Sequence, residues 1–151
     1  MRNKSDKKII VQSNRDKQIH VCDSSGELKY SFPTKEPNEH HLSISNENEI
    51  IAAGMHSKFV YIYTEERNLK RKFEVAEDHK IWGIAFNHVT EEVIVHKRYD
   101  GTEYISSYST TCRKLETVAR AFEWEAGCFH LTSHPSGPVA LVSKKSILYI
   151  Q

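Results

Sequence analysis

The sequence predicts an all-β chain, a partial β-propeller of about three and a half four-stranded blades, and three observations carry that prediction. Its apolar runs are short, rich in β-branched and aromatic residues, and parted by polar turns, as strands are. One unit recurs: residues 9–32 shifted forward by 41 fall on residues 50–73 without a gap. No stretch keeps the 3.6-residue apolar period of a surface helix, which sets aside the helical repeats of similar length.

The repeat is visible residue by residue. Ile9, Ile10 and Val11 meet Ile50, Ile51 and Ala52, while Lys17 meets Lys58. Ile19 and Val21 meet Val60 and Ile62, Leu28 meets Leu69, and Phe32 meets Phe73. A looser copy runs through Val93-Ile94-Val95, Tyr104-Ile105, Leu115 and Val118, and a last one begins at Val139 and reaches Ile150. Numbering the strands of a blade from innermost to outermost, first strands are expected at 42–44, 81–86 and 129–132. Second strands are expected at 8–11, 49–53, 92–96 and 139–142. Third strands fall at 18–22, 59–63, 103–108 and 146–150, and fourth strands at 28–32, 69–73 and 114–118. The turn Asp23-Ser24-Ser25-Gly26 supplies glycine where a positive φ is needed, and Asn68 is the expected counterpart in the next blade. Lys29, Lys70, Arg71, Lys72 and Lys114 charge the outermost strands, and lysine on an open edge discourages edge-to-edge association.

Bulk properties narrow the function. The 151 residues suit one domain or a piece of one, and 21 Lys+Arg against 20 Asp+Glu leave no global field to draw in nucleic acid or an anionic membrane. Cys22, Cys112 and Cys128 are odd in number and form no C-x-x-C, so they are expected to be reduced thiols of an intracellular, cytoplasmic protein. The charged stretch from Met1 to Lys8 is unlike a signal peptide, and no apolar run reaches the roughly 20 residues of a membrane span. Asn3-Lys4-Ser5 fits a glycosylation acceptor by composition alone.

Residues 9–32 resemble an NHL repeat. That family's unit reads as an apolar triplet, a polar turn, an "IqVfD" strand, a "DG" turn and an "fl..sf" strand. Here the matching residues are Ile9-Ile10-Val11, Ile19-His20-Val21-Cys22-Asp23, Ser25-Gly26 and the run from Leu28 to Phe32. Trp82-Gly83-Ile84-Ala85-Phe86 is similar to the "p.GiavD" strand that opens a blade in that family. The resemblance spans most of the chain and is sharpest in 9–32 and 81–95. Ser13 and Lys17-Gln18 stand where the family usually has Asp and Asn-x-Arg, and Gly54 and Lys97 stand there in later blades. The resemblance implies a binding domain like the C-terminal propellers of tripartite-motif proteins, some of which are ubiquitin ligases and some of which bind RNA. A few relatives of that family are amidating lyases.

The expected strands open on a second strand and stop on a third, whereas closed propellers have about four to eight blades. The expectation is therefore that N-terminal blades are missing, with residues 1–6 a disordered segment and 7–151 the partial propeller.

The sequence lacks the signatures of catalysis. There is no G-x-S-x-G, P-loop or H-E-x-x-H. The expected innermost strands are mainly apolar, with His41, Ser43, His130 and Thr132 as polar members. His130 and His134 stand about 13 Å apart on a strand, too far for one metal ion. Asp78-His79 lacks a neighbouring nucleophile, and Trp82 and Trp124 are read as core or rim packing. No catalytic residue, metal or cofactor is expected.

Binding is assigned to the turns between second and third strands. They carry Arg15 and Lys17, then His56 and Lys58, then Lys97, Arg98 and Tyr99, then Lys144 and Lys145. Inter-blade connections on the same face add Glu36, Glu39, Glu74, Glu77, Asp78, Glu123 and Glu125, so that face is mixed in charge. The opposite face is acidic, with Glu47, Glu49, Glu91, Glu92, Asp23, Glu27, Glu65 and Glu66. A mixed face suits a protein partner, and the expected function is a non-enzymatic protein-interaction module. RNA binding on the basic turns is the alternative, and an enzyme of the amidating-lyase or lactonase type is a third.

Overall fold

The computed structural model describes residues 8–13, 17–35, 41–54, 57–75, 80–100, 102–110, 114–122, 130–134, 139–142 and 147–150. They form fourteen strands and, among the described residues, no helix. The first sheet holds β1 (Ile9–Ser13), β2 (Gln18–Cys22) and β3 (Leu28–Pro33). The second holds β4 (His41–Ile44), β5 (Ile50–Ala53), β6 (Phe59–Tyr63) and β7 (Leu69–Glu74). The third holds β8 (Lys80–Asn87), β9 (Glu92–Tyr99), β10 (Thr102–Ser109) and β11 (Lys114–Phe122). The fourth holds β12 (His130–Ser133), β13 (Val139–Val142) and β14 (Ile147–Ile150). Within each sheet the strands lie side by side in chain order, and every pairing is antiparallel. Residues 1–6, read from sequence as a disordered segment, lie outside the described residues, as do Cys112 and Cys128. Cys22 is a free, half-buried thiol.

The core lies between sheets, because strand side chains alternate between the two faces. Ile50, Ala52, Tyr61 and Tyr63 of the second sheet pack against Ile19, Val21 and Phe32 of the first. Their neighbours Ile51, Ala53, Val60, Ile62 and Phe73 point the other way and pack against Ile84, Phe86, Val93, Val95 and Tyr108 of the third. The second sheet is thus covered on both faces, which is why all four residues of β5 are buried. Each fully buried isoleucine there stabilises the fold by about 1.5–3 kcal/mol. Contact between the third and fourth sheets runs through Gly83, where an added Cβ would lie 3.4 Å from the Cβ of Leu131.

Turn geometry repeats with the sequence. Gly26 has φ 88° and Arg67, 41 positions later, has φ 70°. The bonds from the Gly26 N–H to Asp23 O and from the Asp23 N–H to Glu27 O recur as Arg67 to Thr64 O and Thr64 to Asn68 O. Arg67, not Asn68, therefore takes the left-handed place, because the αL residue of such a turn is fixed by its position after the type I turn. Asn48, at φ 59°, closes the β4–β5 turn in the same way.

The largest departure from the sequence expectation is the length of the third sheet. Strands expected at 92–96 and 103–108 run to Tyr99 and start at Thr102, with Tyr99 opposite Thr102 and Arg98 opposite Glu103. The cause is the dipeptide Asp100-Gly101: Asp100 has φ 48°, the conformation that a two-residue hairpin turn demands and that Asp-Gly favours.

Candidate functional site

Of the nine residues assigned to the turns, Arg15, His56, Lys144 and Lys145 lie outside the described residues. Lys17 is exposed at φ 54°, its carbonyl accepting from the Thr34 N–H at 3.0 Å. Lys58 occupies the matching place, accepting from the Val75 N–H at 2.9 Å. Its ammonium pairs with Glu74 at 3.4 Å and stands 5.4 Å from the Phe59 ring centroid, with Lys72 over the same ring at 4.6 Å.

Lys97 requires a correction. It is not an exposed turn residue: it is buried at 2 % exposure within β9. Once β9 extends to Tyr99, strand alternation puts Lys97 on the face of Val93 and Val95, against the second sheet. There Nζ donates to the Tyr108 hydroxyl at 3.0 Å, and that hydroxyl donates to the Val75 carbonyl at 2.8 Å. Burial raises the Tyr108 hydroxyl pKa to about 12.

Arg98 also belongs to β9, but its side chain leaves the opposite face, is 32 % exposed, and is held from two sides. Nε donates to Glu103 Oε1 at 2.5 Å, and the guanidinium carbon stands 4.1 Å from the centroid of Trp82. A register shift between Ile81 and Gly83 makes Trp82 the extra residue of a bulge. Ile81 therefore packs toward the second sheet while Trp82 turns toward Arg98. The other Glu103 oxygen is 2.6 Å from His96 Nε2. A carboxylate only accepts, so Nε2 carries the proton. Burial holds the His96 pKa below its ordinary value and outweighs the pull of Glu103 in the opposite direction, leaving a neutral imidazole. Tyr99, at the end of β9, is 43 % exposed.

The two groups that a reading of β9 as ending at 96 leaves out are Glu103 and Trp82 as partners of Arg98. The Asp100-Gly101 signal, taken with antiparallel pairing, places Glu103 opposite Arg98; the bulge at Trp82 has no comparable mark in the sequence beyond the adjacent glycine.

The opposite face carries a polar clasp between blades. The Asn46 amide donates to the His88 carbonyl at 2.9 Å and to Glu91 at 3.1 Å. Part of its acidic charge is met locally, Lys70 by Glu49 at 2.7 Å and Lys29 by Asp23 at 3.4 Å. These pairs also occupy lysines of the outermost strands. Among the described residues, no three His, Cys, Asp or Glu side chains gather as a metal ligand set.

No protein-family model matches the chain, and no curated protein matches it. Solved structures do. The WD40 β-propeller domain of Doa1 is similar with a TM-score of 0.67 and 14% identity, over 98% of this chain and 47% of that one. A chain of the Mitotic Checkpoint Complex is similar with a TM-score of 0.65 and 10% identity, over 95% and 45%. Virginiamycin B lyase from Staphylococcus aureus, in its H270A form with quinupristin, is similar with a TM-score of 0.61 and 10% identity, over 95% and 51%. Four antiparallel sheets stacked in chain order, together with these likenesses, define the fold as part of a β-propeller. The chain spans about half the length of the structures it resembles.

Proposed function

We propose that this chain is a non-enzymatic binding module, a protein-interaction scaffold that works through the second-to-third-strand turns. The observation that carries this reading is the state of the basic residues there. Lys58 is met by Glu74 and Arg98 by Glu103, each beside an aromatic ring. Charges already compensated within the sheet offer little to a phosphate backbone, whose binding depends on releasing counterions. Arginine and aromatic side chains at a rim are the residue types that dominate protein interfaces. A similar fold inside the Mitotic Checkpoint Complex, itself an assembly, agrees with this reading.

The NHL-like motif in residues 9–32 extends the proposal to the recognition domain of a tripartite-motif ubiquitin ligase acting in the cytoplasm. RNA binding is the second reading, favoured by the exposed Lys17 and by Lys72 beside Phe59. One experiment separates the two: replace Arg15, Lys58, Arg98 and Lys145 by alanine together, and titrate the partner and single-stranded RNA at two salt concentrations. A protein module loses partner binding in the variant and shows a shallow salt response. RNA binding would instead give a logarithmic slope near −0.7 per phosphate contact. Partner binding left unchanged by the four replacements would remove this face.

A further inference from the structure

Resting on the protein-binding reading, we infer that Arg98 is a preorganised receptor for a carboxylate of the partner, so that the segment recognised is an acidic peptide. An arginine side chain normally loses much conformational freedom when it binds, and that cost lowers affinity. Here the cost is met in the free protein. Glu103 fixes Nε at 2.5 Å, and the guanidinium carbon stands 4.1 Å from the centroid of the Trp82 ring. The side chain remains 32 % exposed. A guanidinium has five N–H donors in a planar fork, and Nε uses one here, so the Nη pair carries the other four, with the spacing that suits a carboxylate.

The support behind the fork is equally ordered. Glu103 is almost fully buried and accepts a hydrogen bond from the Nε2–H of a neutral His96. The bulge at Trp82 brings the indole to the Arg98 side of the sheet instead of the core. Lys80, exposed and directly opposite Arg98 across the β8–β9 ladder, adds a second positive charge, and Tyr99 offers an exposed ring at the same strand end.

A peptide carboxylate fits this arrangement better than a nucleic-acid strand. Glu103 offsets the formal charge of Arg98, and Glu74 that of Lys58, so these two described cations act through shape and direction more than through net charge. Successive phosphates need a track of free cations, whereas one planar, bidentate donor beside aromatic rings is the anchor chemistry of a protein interface.

The test is selection of random linear peptides displayed on phage against the immobilised chain. It is repeated with Arg98→Lys and Lys80→Ala, with circular dichroism to establish that each variant is folded. Direct titration of a selected peptide and of single-stranded oligouridylate follows. The expected result is enrichment of Asp or Glu at one fixed position. Arg98→Lys, which keeps the charge and loses the fork, weakens the selected peptide about 30-fold or more. Lys80→Ala weakens it only a few-fold. Glu103→Gln gives an intermediate loss that conversion of the peptide carboxylate to its amide abolishes, a dependence that a purely structural role would not produce. Selected peptides lacking a fixed acidic position, or acidic peptides indifferent to Arg98→Lys, would overturn the inference and leave the protein-binding reading standing. Selection of no peptide, with tight and salt-sensitive binding of oligouridylate, would overturn both.

Discussion

At the scale of single residues, the third sheet stores two polar arrangements on opposite faces, and each has a measurable consequence. His96 is buried as a neutral imidazole against Glu103, with its pKa below the ordinary 6.5. The unfolded chain therefore binds a proton that the folded chain refuses. Stability is fully present above about 6.5 and declines as pH falls through 6.5 toward the folded value. Urea denaturation between pH 7.5 and 5 will show this slope, and His96→Gln will flatten it relative to the parent. An equal slope in both proteins would mean that other histidines carry it. On the other face, the Tyr108 hydroxyl links Lys97 Nζ to the Val75 carbonyl. Tyr108→Phe removes both hydrogen bonds from a buried site, and the expected loss is about 1–3 kcal/mol in chemical denaturation. Burial of Lys97 follows from alternation with Val93 and Val95, but only after β9 is known to extend past His96. A basic dipeptide next to a turn signal reads as turn surface when the strand end is placed three residues early.

At the scale of elements, the 41-residue repeat carried more geometry than composition did. It aligns Lys17 with Lys58, whose carbonyls accept equivalent bonds from Thr34 and Val75, and Gly26 with Arg67, which share a positive φ. The strands at 18–22, 59–63 and 139–142 match their expected bounds because each is a β-branched or aromatic run ended by a turn signal. What the sequence did not disclose is the bulge at Trp82, since a bulge is set by how two strands pair and not by either strand alone. Gly83, beside that bulge, tests the close approach of the third and fourth sheets. An alanine Cβ there meets Leu131 at 3.4 Å, ordinary contact, whereas a larger side chain must push the sheets apart. Gly83→Ala is expected to change thermal stability little, and Gly83→Leu to cost about 1–3 kcal/mol. Equal effects of the two would show that the sheets have room to spare at this point.

At the scale of the whole molecule, the second sheet is buried between the first and the third, and the strands of each sheet run in chain order. That division, an apolar interior between blades and charged turns at their ends, was legible from the periodic apolar triplets and the polar residues between them. The placement of the candidate binding residues was legible only in part. Sequence places charge at the strand ends, but whether a lysine faces solvent, a carboxylate or a tyrosine is decided by the pairing partner, as Lys17, Lys58 and Lys97 each demonstrate. The most direct measurement of the central claim is hydrogen–deuterium exchange of the chain, alone and saturated with a protein partner or selected peptide. Slowed exchange is expected at the β5–β6 and β9–β10 hairpin ends, around Lys58 and around Arg98 and Tyr99, with the acidic turns at 23–27, 45–49 and 88–91 unchanged. Protection confined to those acidic turns, with the basic hairpin ends unaffected, would contradict it.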